Sequence, residues 1–337
     1  MNAILSITAP FFALILLGWW AARRRWLPVS AVPGLNSFVL YFALPAMLLR
    51  FGWRTPLATL FDPVVLGLYL GVGLGVVAVA VALARARGVP GADAAFGALV
   101  AAFPNSGFMG VPLLVALLGP AAAGPIICTV LADMIVTSSV CVALSQALGG
   151  HGGDARAAAL RSLRGALSNP LPWAIGLGAL LGGLGWSLPG PVTAVVNLLA
   201  DAASPVALFT IGAVLWRSTP HTGAHGEPPG WHRAQRVLAP FLPVLPEVLL
   251  KLLLHPALVW GGGRALQAAG LPLDDAALLA LTLTAALPSA SNVALLTERY
   301  GADTARVARI ILASTLLAFA SFSLLARWLV TAAPSGG

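Results

Sequence analysis

Long apolar stretches alternate with short polar ones along almost the whole chain. Runs bounded by Pro, Gly or charge fall at about residues 3–22, 35–53, 63–84, 94–118, 124–148, 170–188, 192–216, 244–266, 276–297 and 307–330. A helix needs about 20 mostly apolar residues to cross the hydrocarbon of a bilayer. The pattern therefore predicts an all-α integral membrane protein of ten transmembrane helices. The longest connections, 149–169 and 217–243, are polar and lie near the middle of the chain; the second contains HTGAHGEPPG, a turn-rich stretch. No separate soluble domain fits between the runs.

The two halves of the pattern match in order. Asp93-Ala-Ala opens the fourth run and Asp275-Ala-Ala the ninth, 182 positions later, and Gly119 and Gly301, which close those runs, are also 182 apart. Between them Pro104 and Pro288 interrupt each run near its middle, 184 apart. Asn36 precedes Pro45 in the second run by nine residues, and Asn197 precedes Pro205 in the seventh by eight. The expectation is two five-helix repeats, residues 1–148 and 170–337, joined by a cytoplasmic linker at 149–169. Because five is odd, the second repeat must insert upside down. Inverted repeats with interrupted helices in equivalent positions are the architecture of secondary transporters, with the substrate near the midplane.

Composition and charge sharpen this. Apolar residues make up 59% of 337 and charged residues 9%, with a mean hydropathy of +0.91, too little charge to cover a soluble domain. The net charge of +8 could suggest nucleic acid, but that footprint places Lys and Arg in one stripe among aromatics. Here they form small clusters between apolar runs. Loops after odd-numbered runs hold Arg23, Arg24, Arg25, Arg85, Arg87, Arg156, Arg161, Arg164, Arg217, Arg233, Arg236, Arg299, Arg306 and Arg309, against Arg50, Arg54, Arg264 and Arg327 on the other side. Basic loops stay cytoplasmic, so both termini are expected outside. Eighteen Arg against one Lys, in a chain rich in Ala and Gly, is the usage of a GC-rich bacterial genome and points to a bacterial plasma membrane. The first run is followed, not preceded, by basic residues and is expected to be a retained helix, not a signal peptide. Cys128 and Cys141 sit 13 positions apart in one run, about 20 Å along a helix, too far for a disulfide.

The interrupted runs carry the first candidate chemistry. The fourth reads ALVAAFPNSGFMGVPLL and the ninth LTAALPSASNVALL. Proline removes a backbone donor and clashes with the preceding turn, and the freed groups are tolerated in a membrane only against protein or a water-lined cavity. One such break is commonly a kink patched by neighbouring side chains; two at equivalent positions point to a site. Candidate substrate-binding residues are Pro104, Asn105, Ser106 and Gly107 at the first break and Pro288, Ser289, Ser291 and Asn292 at the second. No charged residue occurs from 94 to 132 or from 276 to 297. An anion there would be held by the positive ends of half-helices and the amides of Asn105 and Asn292, which suits a small carboxylate that must also be released.

Ionisable residues inside the runs are candidates for ion coupling. Asp133 lies about ten residues into the fifth run, followed by Thr137, Ser138 and Ser139; a carboxylate at such depth is costly and usually functional. Its alternative is a protonated Asp bonded to a neighbouring helix. Asp201, mid-way along the seventh run, is the second candidate, or a helix–helix contact. Glu247, Lys251 and His255 recur every four residues on one face of the eighth run. Lys251 could be a snorkelling lysine with an ion-pair partner. Against that, it is the single Lys in a chain that uses Arg elsewhere, which points to a need for a compact cation. Lys251 and His255 therefore join Asp133 and Asp201 as coupling candidates. His221, His225 and His232 have no nearby Cys and only Glu227 as a carboxylate, so no metal and no other cofactor is expected.

The stretch Pro104-Asn-Ser-Gly-Phe-Met-Gly-Val-Pro112 resembles the signature of the auxin efflux carrier family of membrane transporters. The segments from Asn169-Pro170 through Pro205 to Gly212, the run to His255-Pro256, and Leu287-Pro288 through Gly301 resemble it too, so the similarity covers nearly the whole chain. The resemblance implies a scaffold of spans one, two, six and seven, a mobile unit of spans three to five and eight to ten, and elevator-like exchange. It also implies a small organic acid as substrate, malate or malonate in bacterial members and auxin in plants; the long central loop of the plant carriers has no counterpart here. The expected partners are thus an organic anion, a proton or sodium as coupling ion and the lipid bilayer, with a homodimer left open and no nucleic acid. Rival readings are a sodium-coupled bile-acid-type carrier, which shares the inverted-repeat design, and a transporter-derived ligand sensor. A membrane-embedded enzyme is disfavoured, because His255 is the only His within a run and neither HExxH nor G-x-S-x-G occurs.

Overall fold

A computed structural model describes residues 2–56, 62–149, 155–218 and 239–332. Among these residues the chain is helical and contains no strand. In order the helices are α1 (Asn2–Arg23), α2 (Val32–Arg54), α3 (Pro63–Ala86), α4 (Gly91–Ala102), α5 (Ser106–Leu118), α6 (Pro120–Leu148), α7 (Ala155–Leu167), α8 (Pro170–Gly183), α9 (Gly190–Ser218), α10 (Ala239–Ala268), α11 (Asp275–Ala285), α12 (Val293–Arg299) and α13 (Thr304–Ala332). Six of them, α2, α3, α6, α9, α10 and α13, are long and apolar enough to cross a membrane by length and composition. The helices fall on the apolar runs, except that the fourth and ninth runs are each split in two, α4/α5 and α11/α12. His221, His225, His232, Arg233 and Arg236 lie outside the described residues.

Local chemistry explains the helix ends. Asp62 accepts from the backbone N–H groups of Val64 and Val65, Asn169 from Leu171 and Asp274 from Ala277, each capping donors that a helix start leaves unpaired. Pro63 and Pro170 occupy first helical positions, where a missing N–H costs nothing. At the other ends, Gly88 after α3 and Gly270 after α10 adopt φ of +77° and +82°, and Gly119 after α5 and Gly301 after α12 adopt +90° and +69°. Each pair is 182 positions apart, so the left-handed stops that favour glycine recur in register.

Two glycine-mediated contacts bind α1 to α9 and α2 to α8. Gly18 faces the backbone of Phe209, and Gly212 faces that of Ile15 and Trp19; on the second pair, Gly178 and Gly182 face the backbone of Leu49 and Trp53, while Gly52 faces Ile175. Small residues let membrane helices approach backbone to backbone, where dispersion replaces the hydrophobic drive that lipid cannot supply. α2 also packs on α9; α3, α4, α6, α10, α11 and α13 pack among themselves. Glu247 of α10 receives Arg306 of α13 at 2.5 Å, with Arg87 at 3.9 Å from its other oxygen.

Four π turns widen the long helices. Three of them, Val39–Ala43, Ser106–Gly110 and Leu250–Leu254, each end two residues before a proline, Pro45, Pro112 and Pro256. The extra residue in a π turn makes room for the ring and the absent N–H. The fourth, Asp133–Thr137, has no proline after it; there the Ser138 hydroxyl donates to the Asp133 carbonyl at 2.8 Å. One element departs from the sequence expectation: the polar linker contains α7, which packs along α6 and touches α8.

Candidate functional site

The two helix breaks meet. α4 ends at Ala102, and the extended residues around Pro104 run antiparallel to those around Ser289. Asn105 N–H donates to the Pro288 carbonyl at 2.8 Å and Ala290 N–H to the Phe103 carbonyl at 3.0 Å. In an unbroken helix the Val100 carbonyl would accept from residue 104, which is proline and has no donor; the Ser289 hydroxyl takes that place at 2.7 Å. Ser289 N–H in turn donates to Ser314 Oγ of α13 at 3.1 Å. Each break thus satisfies the backbone groups the other exposes, as the membrane interior demands. A Cβ on Gly110 would stand 2.8 Å from Leu287 Cδ1, so the absence of a side chain lets the second break come this close.

The breaks also hold an unmet polar group. Asn105 is 4% exposed and its Oδ1 is buried without a partner, a state that costs about 1–3 kcal/mol unless something fills it. It borders a cavity of about 20 Å³ that Ser106, Gly107, Ala290 and Asn292 also line. Such a space holds a water, not an organic acid. Adjoining it through Leu40, Phe103, Met134 and Asn292 is a pocket of about 290 Å³ that extends to Arg161 of α7 and Arg299 of α12. Neither of these arginines figured among the sequence-derived site residues. Arg161 belongs to a linker read as polar connection, and Arg299 lies beyond the uncharged ninth run.

A second buried cluster lies on α3, α6 and α10. Asp133, at 1% exposure, accepts from the Tyr69 hydroxyl at 2.6 Å and from Thr137 Oγ1 at 3.0 Å. Lys251 is fully buried and is not a snorkelling surface lysine. Its Nζ donates to the Ala285 carbonyl at 2.6 Å and lies 3.3 Å from His255 Nδ1. Ala285 is the last residue of α11, so the cation sits where a helix end carries negative partial charge. The Tyr69 and His255 rings are 5.9 Å apart, and His255 Nε2 is buried without a partner. Tyr69 thus links Asp133 to the His255 and Lys251 pair. Tyr69, one of three tyrosines, escaped the sequence reading because nothing in an apolar run marks one hydroxyl as a carboxylate's partner.

The remaining expectations separate from this cluster. Glu247 turns to Arg306 and not to Lys251, since the π turn at Leu250–Leu254 breaks the four-residue spacing that would align them. Asp201 pairs with Arg50 of α2 at 2.6 Å and its side chain is 69% exposed. Among the described residues no group of His, Cys, Asp and Glu could hold a metal ion.

Comparison with known proteins agrees with the geometry. The profile of a family described as "Membrane transport protein" matches residues 3–151 and 154–326. A Rhizobium meliloti protein named "Putative malonate transporter" is 29% identical over 322 residues, 95% of this chain and 94% of that protein. An Escherichia coli K12 protein, "Uncharacterized transporter YfdV", is 26% identical over 209 residues, 61% of this chain and 67% of its own length. With nearly the whole chain matched and the signature Pro104 to Pro112 forming one side of the paired helix breaks, this is a multi-pass membrane protein that belongs to the membrane transport protein family of auxin efflux carriers.

Proposed function

We propose that the chain is a secondary active transporter of a small mono- or dicarboxylate such as malonate or malate, built as ten spans in two inverted five-helix repeats. On this reading α4/α5 and α11/α12 are the broken spans four and nine, and the substrate binds where they cross. The observation that carries it is the pair of mutually capped breaks with the unpartnered Asn105 Oδ1 at their junction. An amide can present either its oxygen or its two N–H donors, and the donors suit a carboxylate in a region without charged side chains. The printed name of the Rhizobium meliloti relative supports an organic acid, and the recurrence of positive-φ glycines at an offset of 182 supports the repeat.

The packing supports a scaffold of α1, α2, α8 and α9, bound by glycine contacts, with the other spans as a unit that slides against it. Exchange is then elevator-like. Proton coupling is assigned to Asp133 with Tyr69, Thr137, Lys251 and His255, because Lys251 ties this cluster to the end of the broken α11. Ligands at the crossover would be felt by the same helix end.

The test is direct binding and proteoliposome flux over a panel of mono- and dicarboxylates. Removing one hydrogen-bond partner at a buried site costs about 1–3 kcal/mol, roughly a 5- to 150-fold loss of affinity. Asn105→Ala should therefore reach the membrane normally and bind that much more weakly, Asn292→Ala should follow, and Asn36→Ala on the exposed side of α2 should not. Wild-type affinity in a well-folded Asn105→Ala would make the breaks structural kinks. Accumulation driven by a sodium gradient and indifferent to a proton gradient would replace the proton assignment.

A further inference from the structure

The pocket of about 290 Å³ beside the crossover is at the lower end of the size of small-ligand sites, roughly 300–1,000 Å³. Arg161 and Arg299 line it, and among the described residues no carboxylate does. Neither guanidinium has an ion-pair or hydrogen-bond partner among the described residues. This is unlike Arg50, Arg87, Arg264, Arg306 and Arg309, which all face an acid. The neutral polar groups in the wall are Ser138, Asn169, Asn292 and Tyr300. The Asn169 oxygen is committed to Leu171 N–H at 3.0 Å, so its free group is the NH₂ donor. Among the described residues the wall is therefore rich in donors and free of anions.

Its position fits the crossover. Arg299 follows Asn292 by seven residues, two helical turns, which returns it to the same face, and side chains on a helix lean toward its N-terminus. The pocket thus grades from amides at the break to guanidiniums at the mouth. Gly165 lies four residues after Arg161 on α7 and also lines the pocket, and a Cβ there would meet nothing within 4 Å. The wall is left open at that point.

We propose that this pocket is an anion-receiving vestibule in which Arg161 and Arg299 hold carboxylate groups of the substrate and favour dicarboxylates over monocarboxylates. The proposal rests on the crossover being the substrate site. A monocarboxylate that moves its one charge to the neutral amides of the break leaves the cations behind. A dicarboxylate keeps its second charge beside them. Guanidinium forks match carboxylate oxygens, so the preference follows from the number of charges the ligand carries. An anionic lipid headgroup offers the same chemistry at the membrane surface, and the vesicle composition separates the two sources.

The experiment measures apparent affinity for malonate and for acetate in full-length protein reconstituted in pure phosphatidylcholine vesicles and in vesicles with added phosphatidylglycerol. The double variant Arg161→Gln/Arg299→Gln should raise the malonate constant about 5- to 20-fold, the range for partly exposed charge-assisted contacts, and the acetate constant by less than about threefold. Both effects should persist in pure phosphatidylcholine. Arg164→Gln, also on α7 but outside the pocket, should leave both constants unchanged. The charge-keeping Arg161→Lys/Arg299→Lys pair should retain most of the preference, which guards against misreading a folding defect. An unchanged malonate constant, equal shifts for malonate and acetate, or an effect confined to anionic vesicles would each overturn the vestibule. If the wild type carries malonate and Asn105→Ala abolishes this while the arginine variants do nothing, the vestibule alone falls. If the wild type handles neither acid, the crossover reading falls with it.

Discussion

Lys251 and Asp133 should be energetically coupled. Lys251 is fully buried, and replacing it by Met keeps the stem while removing the 2.6 Å bond to the Ala285 carbonyl and the contact with His255. A charge-assisted hydrogen bond contributes roughly 1.5–3 kcal/mol, with the upper end expected at a fully buried site. Lys251→Met should therefore destabilise the protein by about 3 kcal/mol. Asp133→Asn keeps the shape; Tyr69 and Thr137 donate to different carboxylate oxygens, so the amide oxygen keeps one of these donors and the other hydroxyl turns to accept from the new NH₂. What it removes is the carboxylate charge that Tyr69 links to His255 and Lys251. The double variant should recover part of this, so that the two losses fall short of adding by about 1–3 kcal/mol. Unfolding of the four proteins in the same detergent, followed by denaturant or heat, measures the cycle. Losses that add within about 0.5 kcal/mol would show that the two groups do not sense each other and would remove Lys251 from the coupling machinery.

Three further outcomes are expected. A reporter active only in the cytoplasm, fused after Gly337, should stay silent, because the arginine asymmetry puts both termini outside; a strong signal would sink the ten-span reading and the inverted repeat together. Gly212→Val should destabilise by about 1–3 kcal/mol through collision with the Ile15 and Trp19 backbone, whereas Gly67→Val, with open space around it, should not; equal thermal midpoints would contradict the α1–α9 contact. Asp201→Asn should leave gradient-driven uptake intact, since Asp201 is bonded to Arg50 of α2 and stands apart from the Asp133 cluster; lost uptake would move the coupling role to the scaffold.

Period and punctuation made most of the fold readable. Every apolar run carries a helix, and the breaks sit at Pro104 and Pro288, because a missing N–H acts locally whatever surrounds it. Features that depend on a partner far along the chain were not readable. No sequence rule says that Ser289 replaces the donor Pro104 lacks, or that Tyr69 reaches Asp133. The π turns before Pro45, Pro112 and Pro256 have a local cause but shift side-chain register, which is why Glu247 parted from Lys251. α7 was hidden by composition: its arginines make the segment polar on average, while Leu160, Leu163 and Leu167 keep a helical stripe. Arg161 went unnoticed with it. The candidate site was thus half legible: the breaks, Asp133 and Lys251 from local chemistry and composition, Arg161, Arg299 and Tyr69 only from packing.

That division bears on how such a site would work. A cation at the crossover would bind a carboxylate tightly in both orientations of the carrier and slow its release; binding must be strong enough to admit a ligand and weak enough to let it go. The proposed arrangement puts neutral amides, Asn105 and Asn292, at the point of exchange, with full charges held apart from it. Arg161 and Arg299 face the pocket on one side, and charges lining a cleft raise the local concentration of an oppositely charged ligand. Lys251 lies behind the other side, bonded to the last carbonyl of α11 and not to the cavity. A ligand carboxylate at the break, where Pro288 follows Ala285 by three residues, would reach that cation by displacing its bond to Ala285. Loading of substrate and the charge state of the Asp133 cluster would then compete for one helix end. On this reading the coupling requires no direct contact between proton and substrate, only one helix end that answers to both.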